Sequence, residues 1–261
     1  MIFKNNKLAL LALITGLTAC SEAPLNDESK KGTEATVSLS SKPDFRAFTD
    51  VNQKKAAFFD FLRPAVEHEN KRIEKERQFL LGIKSKFEAG NTIGSEELAY
   101  AAKLGKTYQA ELKGDSVTSE WLESILNRVD VLPEELVLSQ AANESGWGTS
   151  RFAVEGNNYF GQWCYRKGCG LVPASRTDGA THEVAVFDSV YLSVQAYFMN
   201  VNRNRAYADL REIRAAQRKM GAVIEGTKLA EGLSRYSERG HAYVDEIQSM
   251  IRHNNKYWRQ G

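Results

Sequence analysis

Apolar and polar positions follow a helical period over most of this chain. Between residues 50 and 113, Phe58, Leu62, Val66, Ile73, Leu80, Ile83 and Phe87 recur at three-, four- and seven-residue intervals with mostly charged residues between them. Gly90 to Ser95 breaks the pattern, and Ser95, Glu97 and Leu98 restart it toward Leu112, so the block predicts a helical hairpin. Pro64 predicts a kink or a segment start, and His68 a solvated position. From Ser119 the composition changes. Trp121, Leu122, Ile125 and Val129 predict a short helix, and Pro133-Glu134-Glu135 opens a second that stops at Gly146. Thr181 to Phe187 alternates as a strand does. Residues 222–258 predict two helices parted at Gly240, with Tyr243, Ile247 and Ile251 spaced by four.

The N-terminus carries a different pattern. Lys4 and Lys7 precede an unbroken apolar run from Leu8 to Leu17, too short for a spanning helix and suited to a signal-peptide core. The run ends Leu17-Thr18-Ala19-Cys20, which resembles a bacterial lipobox. The resemblance implies cleavage before Cys20, acylation of Cys20 as a membrane anchor, and, with Ser21 following, an outer-membrane lipoprotein facing the periplasm of a Gram-negative cell. The polar stretch after Cys20 predicts a flexible tether. The expected organisation is therefore a signal peptide over 1–19, an acylated cysteine and tether over 20–49, a helical appendage over 50–118 without evident chemistry or an assignable partner, and a catalytic domain over 119–261.

Charge narrows the function classes. Lys and Arg number 35 against 33 Asp and Glu, and without Lys4 and Lys7 the balance is even. A neutral chain gives no electrostatic reason to expect nucleic-acid binding. The basic run Arg203, Arg205, Arg211, Arg214, Arg218 and Lys219 reads as a solvated helix face or a surface for anionic peptide.

Glu144 is the first residue with a chemical argument. It shares a helix face with Val137 and Ala141, at the last turn before Gly146. The negative end of the helix dipole and partial burial both disfavour its ionised form, which prepares a carboxyl to act as a general acid. The run Ala142-Asn143-Glu144-Ser145-Gly146-Trp147-Gly148 and the later run Asn157-Asn158-Tyr159-Phe160-Gly161 together resemble the glucosaminidase domain of glycoside hydrolase family 73, and more closely its bacterial Bax-type proteins. Asn202-Arg203-Asn204-Arg205-Ala206-Tyr207 resembles a third family segment, with Ala206 where an Arg usually precedes the tyrosine.

The resemblance implies a mainly α (α+β) lysozyme-like fold with a small β-hairpin, preceded here by the helical hairpin. It implies an endo-β-N-acetylglucosaminidase acting on peptidoglycan glycan strands, with no metal or organic cofactor. A lytic transglycosylase and a non-catalytic wall-binding lipoprotein are the alternatives. Glu144 matches the catalytic acid, and Tyr207 the active-site tyrosine. Glu183, in the predicted strand, is the choice for second carboxylate, with Glu155 and Asp178 as rivals. Trp147, Asn158, Tyr159 and Trp163 are candidates for substrate binding. In an oxidising periplasm Cys164 and Cys169 are expected to form a disulfide. A zinc site with His182 is the rival and lacks a fourth ligand.

Overall fold

The structure is a computed structural model and describes residues 42–174, 176, 179 and 181–258. The signal segment, Cys20 and Asp178 lie outside the described residues. No helix among the described residues is long and apolar enough to cross a membrane.

The hairpin of the first block forms as α1 (Val51–Glu88) and α2 (Ser95–Thr107). Asp50 caps α1 by accepting from the Gln53 backbone N–H at 2.8 Å. Pro64 lies inside α1 without ending it. Pro64 and Asp60, whose carbonyl loses its helical donor there, are both exposed, so water can replace the missing bond. His68 is half-buried rather than solvated, with its ring edge-on to Tyr191 at 4.9 Å.

Helix α1 is packed into the rest of the molecule. One continuous apolar core holds Phe58, Phe59, Leu62, Val66 and Ile73 together with Leu136, Val137 and Ala141 and with Val194, Tyr197 and Phe198. The change at residue 119 is therefore one of composition, not of core. The tether also ends earlier than its polarity implies. Phe45 is buried against Phe58 and Phe61, with ring centroids 5.4 and 5.9 Å away. Lys42 Nζ donates to the Ala153 and Val154 carbonyls at 2.6 and 2.8 Å. One large apolar residue is enough to dock this segment.

Beyond α2 come α3 (Ser119–Arg128), α4 (Glu134–Ser145) and α5 (Arg151–Gly156). Three short antiparallel strands follow, β1 (Trp163–Cys164), β2 (Gly170–Leu171) and β3 (Glu183–Ala185), in the order β1-β3-β2. Trp163 pairs with Val184 and Gly170 with Ala185. The expected hairpin is thus a three-stranded sheet. Strand β2 has two residues, too few for alternation to show in sequence. The chain continues through α6 (Val190–Arg203), α7 (Ala208–Lys219), the single turn α8 (Gly226–Leu229) and α9 (His241–His253). The fold is mainly helical with a small sheet, as the sequence implies.

Candidate active site

Helix α4 ends in the turn that displays Glu144. Gly146, Trp147 and Gly148 all take positive φ, at 56°, 60° and 75°. Glycine adopts this region freely, while Trp147 is strained there and held by packing. Its ring lies edge-on to Phe58 and Phe59, at 5.6 and 5.3 Å. The Trp147 N–H closes the helix by donating to the Ala142 carbonyl at 2.8 Å. Ser145 Oγ accepts from the Gly148 N–H at 2.8 Å. The E-S-G-W-G run is therefore a built turn on a wall supplied by α1.

The Glu144 side chain is half-buried. Tyr243, on α9, donates its hydroxyl to Glu144 Oε1 at 2.8 Å. Gln140, one turn before Glu144, donates Nε2 to the Tyr243 hydroxyl at 3.0 Å and accepts from the Tyr197 hydroxyl. Oε1 is thereby held by a chain of buried polar groups. Oε2 faces Gly161, where an added Cβ would stand 3.8 Å away, so the second motif leaves that oxygen uncrowded. Burial is the main cause that pushes the Glu144 carboxyl above the ordinary range; the bonds from Tyr243 and Asn143 oppose it, and the Glu246 charge adds to it. Tyr207, Tyr236 and Tyr243 are all raised, chiefly by burial and then by the charge of Glu144. Of these tyrosines the sequence pointed to Tyr207 alone; Tyr236 and Tyr243 were missed as neighbours of Glu144. Gln140 was findable, four residues before Glu144 on one face, whereas Tyr243 reads simply as core.

The remaining candidates separate. Glu183, on β3, is buried; its Oε1 accepts from the Gly168 N–H at 3.0 Å and its Oε2 from the Gly170 N–H at 2.8 Å. These backbone bonds hold the carboxyl below its ordinary range. Glu183 clamps the loop after β1 and is not in contact with Glu144. Its rival Glu155 is exposed on α5. Tyr207 is buried, accepts from Asn200 Nδ2 at 3.3 Å, and meets Tyr236 rather than Glu144 itself.

Asn158 and Tyr159 do not face a groove. Asn158 is buried, donates to the Gln162 and Ala185 carbonyls at 2.9 Å each, and accepts from the Phe160 and Gln162 N–H groups. Its capacity is spent on holding the loop. Tyr159 is fully buried, between Phe58 and Phe61. Both are corrected to structural roles, because backbone satisfaction and apolar burial claim them first. Trp147, half-buried, packs its ring on Phe58 and Phe59 and also lines the shallower cavity described below. Trp163 is different, 56% exposed with His182 stacked on it at 4.3 Å.

Cys164 and Cys169 are joined in a disulfide, so neither is a zinc ligand in this state. The bridge and Glu183 secure the same short loop. Replacing both cysteines by serine is expected to lower stability by on the order of 2 kcal/mol, measured by denaturant unfolding. A change below about 0.5 kcal/mol would show that the Glu183 clamp suffices alone.

The basic run is divided: Arg205, Arg218 and Lys219 are exposed and Arg203 is half-buried. Arg211 and Arg214 are buried, and their guanidiniums donate to carbonyls at the ends of α3 and α6. A cavity of about 770 Å³ lies between α1, α3 and α7, away from Glu144. A shallower one of about 440 Å³ is lined by Asn143, Gly146 and Trp147 at the end of α4 and by Glu246 and Ser249 of α9; Glu144 is in the lining of neither.

Residues 119–256 match the Glucosaminidase family, described as mannosyl-glycoprotein endo-beta-N-acetylglucosaminidase. Over 217 residues the chain is 33% identical to Protein bax of Escherichia coli (strain K12), covering 83% of this chain and 76% of that protein. No solved structure matches.

Proposed function

This chain belongs to the Glucosaminidase family, a glycosidase assignment, and we propose that it hydrolyses the β-1,4 bond after N-acetylglucosamine in peptidoglycan glycan strands. The observation that carries the reading is the division of labour at Glu144. Oε1 accepts from Tyr243, so in the protonated acid the proton resides on Oε2, the oxygen beside Gly161. A neutral carboxyl so oriented delivers that proton to the glycosidic oxygen as the bond breaks, which removes a poor leaving group. Loss of the leaving group generates an oxocarbenium-like sugar, which water or the substrate's own acetamido oxygen then captures. Trp163, exposed and backed by His182, offers a flat apolar face to a sugar ring.

We further propose that the protein is a lipoprotein anchored through Cys20 at the outer membrane, the support being the lipobox-like Leu17 to Cys20. Incorporation of labelled fatty acid that persists in Cys20→Ala would refute the anchor.

One observation favours a second reading. Both Glu183 oxygens are occupied by backbone N–H groups, so the carboxylate chosen from sequence as the second is engaged elsewhere, and a lytic transglycosylase needs only one. Mass spectrometry of the products from purified sacculi separates the two. Reducing N-acetylglucosamine ends support hydrolysis; 1,6-anhydro ends support the transglycosylase.

The acid requires its proton, so kcat/KM falls as pH rises through the elevated Glu144 pKa. Tyr243 stabilises the carboxylate, hence its removal raises that pKa. Tyr243→Phe is expected to move the alkaline limb to higher pH and to cost roughly tenfold in rate, the equivalent of one hydrogen bond of ~1.4 kcal/mol. An unmoved alkaline limb would remove Tyr243 from the mechanism.

A further inference from the structure

Three buried side chains stand in single file behind Glu144. Tyr197, on α6, donates its hydroxyl to Gln140 Oε1. Gln140 Nε2 donates to the Tyr243 hydroxyl at 3.0 Å, and Tyr243 donates to Glu144 Oε1 at 2.8 Å. All three are buried, so bulk water does not replace a lost partner. Burial also holds the Tyr197 and Tyr243 phenols far above their ordinary range, so both keep their hydrogens at any working pH.

A phenol has one hydrogen to give, and an amide has a donor end and an acceptor end. The file therefore has a direction. As it stands, every hydrogen points toward Glu144. In the reverse sense the Gln140 amide turns over, Tyr243 gives its hydrogen to Gln140 Oε1, and Nε2 donates to the Tyr197 oxygen. Glu144 Oε1 then faces a hydroxyl oxygen with no hydrogen, an arrangement that suits a proton on Oε1. The reverse sense also strands the Tyr197 hydrogen, because Gln140 Oε1 is its one acceptor among the described residues. A buried donor left without an acceptor is costly, so Tyr197 keeps the file running forward.

We propose that Tyr197 is a positioning residue: by fixing the Gln140 amide it fixes the direction of the file and keeps the acid's proton on Oε2, beside Gly161. The proposal rests on the reading of Glu144 as the general acid, and Tyr197 acts on it through two intervening side chains.

Tyr197→Phe keeps the ring that stacks on Phe160, with centroids 4.1 Å apart, and removes only the hydroxyl. The reverse file then strands no phenol hydrogen, and it favours the protonated acid with its proton on Oε1. The Glu144 carboxyl is expected to titrate at higher pH, by roughly half a unit or more, and kcat on the acid plateau to fall roughly three- to tenfold with KM unchanged. Gln140→Met removes the amide altogether. Nothing then competes for the Tyr243 hydrogen, so this nearer change moves the titration less than the remoter one. The other groups that bear on Glu144 (Asn143 on α4, Glu246 on α9, Arg239, Tyr207 and Tyr236) are the same in every variant.

The test is a carboxyl carbon-13 NMR titration of the full chain labelled at glutamate, with the Glu144 signal identified by its loss in Glu144→Gln. The Glu144 titration should rise in Tyr197→Phe, rise less in Gln140→Met, and move no further when Tyr197→Phe is added to Tyr243→Phe. An unmoved Glu144 in Tyr197→Phe, a larger rise in Gln140→Met, or an additive shift in the double variant would each overturn the proposal. The pH profile of sacculus cleavage reports on the catalytic reading separately. An alkaline limb that stays in place while the Glu144 titration moves would strike Glu144 as the acid and leave the file intact.

Discussion

The Glu144→Gln protein is expected to lose roughly 10²–10⁴-fold in glycan cleavage while remaining as stable as the wild type or more so at neutral pH. The amide keeps an oxygen for the Tyr243 hydroxyl but has no proton to give the leaving oxygen. The stability side follows from linkage. The folded protein raises the Glu144 pKa, chiefly through burial, so the ionised form is less favourable in the fold than in the unfolded chain. At low pH both states hold the proton and nothing is lost. As pH climbs past the unfolded value, the unfolded chain ionises first and stability falls until the folded pKa is reached. Glutamine removes that penalty. Muropeptide analysis of digested sacculi and thermal melting at neutral pH measure the two halves. Retained cleavage would dismiss Glu144 as the acid, and a large drop in melting temperature would make it a structural residue.

Phe58→Ala is expected to cost about 3–5 kcal/mol, a substantial share of the roughly 5–15 kcal/mol that holds a domain folded. Phe58 is fully buried and touches the rings of Phe45, Phe59, Trp147 and Tyr159. Its removal leaves a cavity under both segments that frame Glu144, namely the strained turn at Trp147 and the loop carrying Gly161. Activity at low temperature should therefore drop as well, with KM and kcat affected together. Phe58→Leu, which leaves much less empty volume, should recover most of the stability. Urea unfolding followed by circular dichroism gives the comparison. A loss below about 1 kcal/mol would mean that α1 is an accessory and not part of the domain core.

Local pattern carried the helices, because a 3.6-residue period is written directly in residues such as Val137, Ala141 and Glu144. The end of α4 was equally legible, since Gly146 is the residue a left-handed cap demands. The family membership was visible in two short motifs, because turns of unusual backbone shape leave few residue choices. Sequence proximity also exposed the Cys164–Cys169 pair. What the chain order hid was every contact made across it. Tyr243 lies ninety-nine positions from Glu144, and only the packing of α9 on α4 turns an apparent core tyrosine into the donor that orients the Glu144 carboxyl. The same holds for Asn158, Tyr159 and Glu183, whose types suit a sugar site equally well. Which of them meets substrate and which is consumed by backbone or core depends on where their hydrogen-bonding groups end up, and burial in three dimensions sets that.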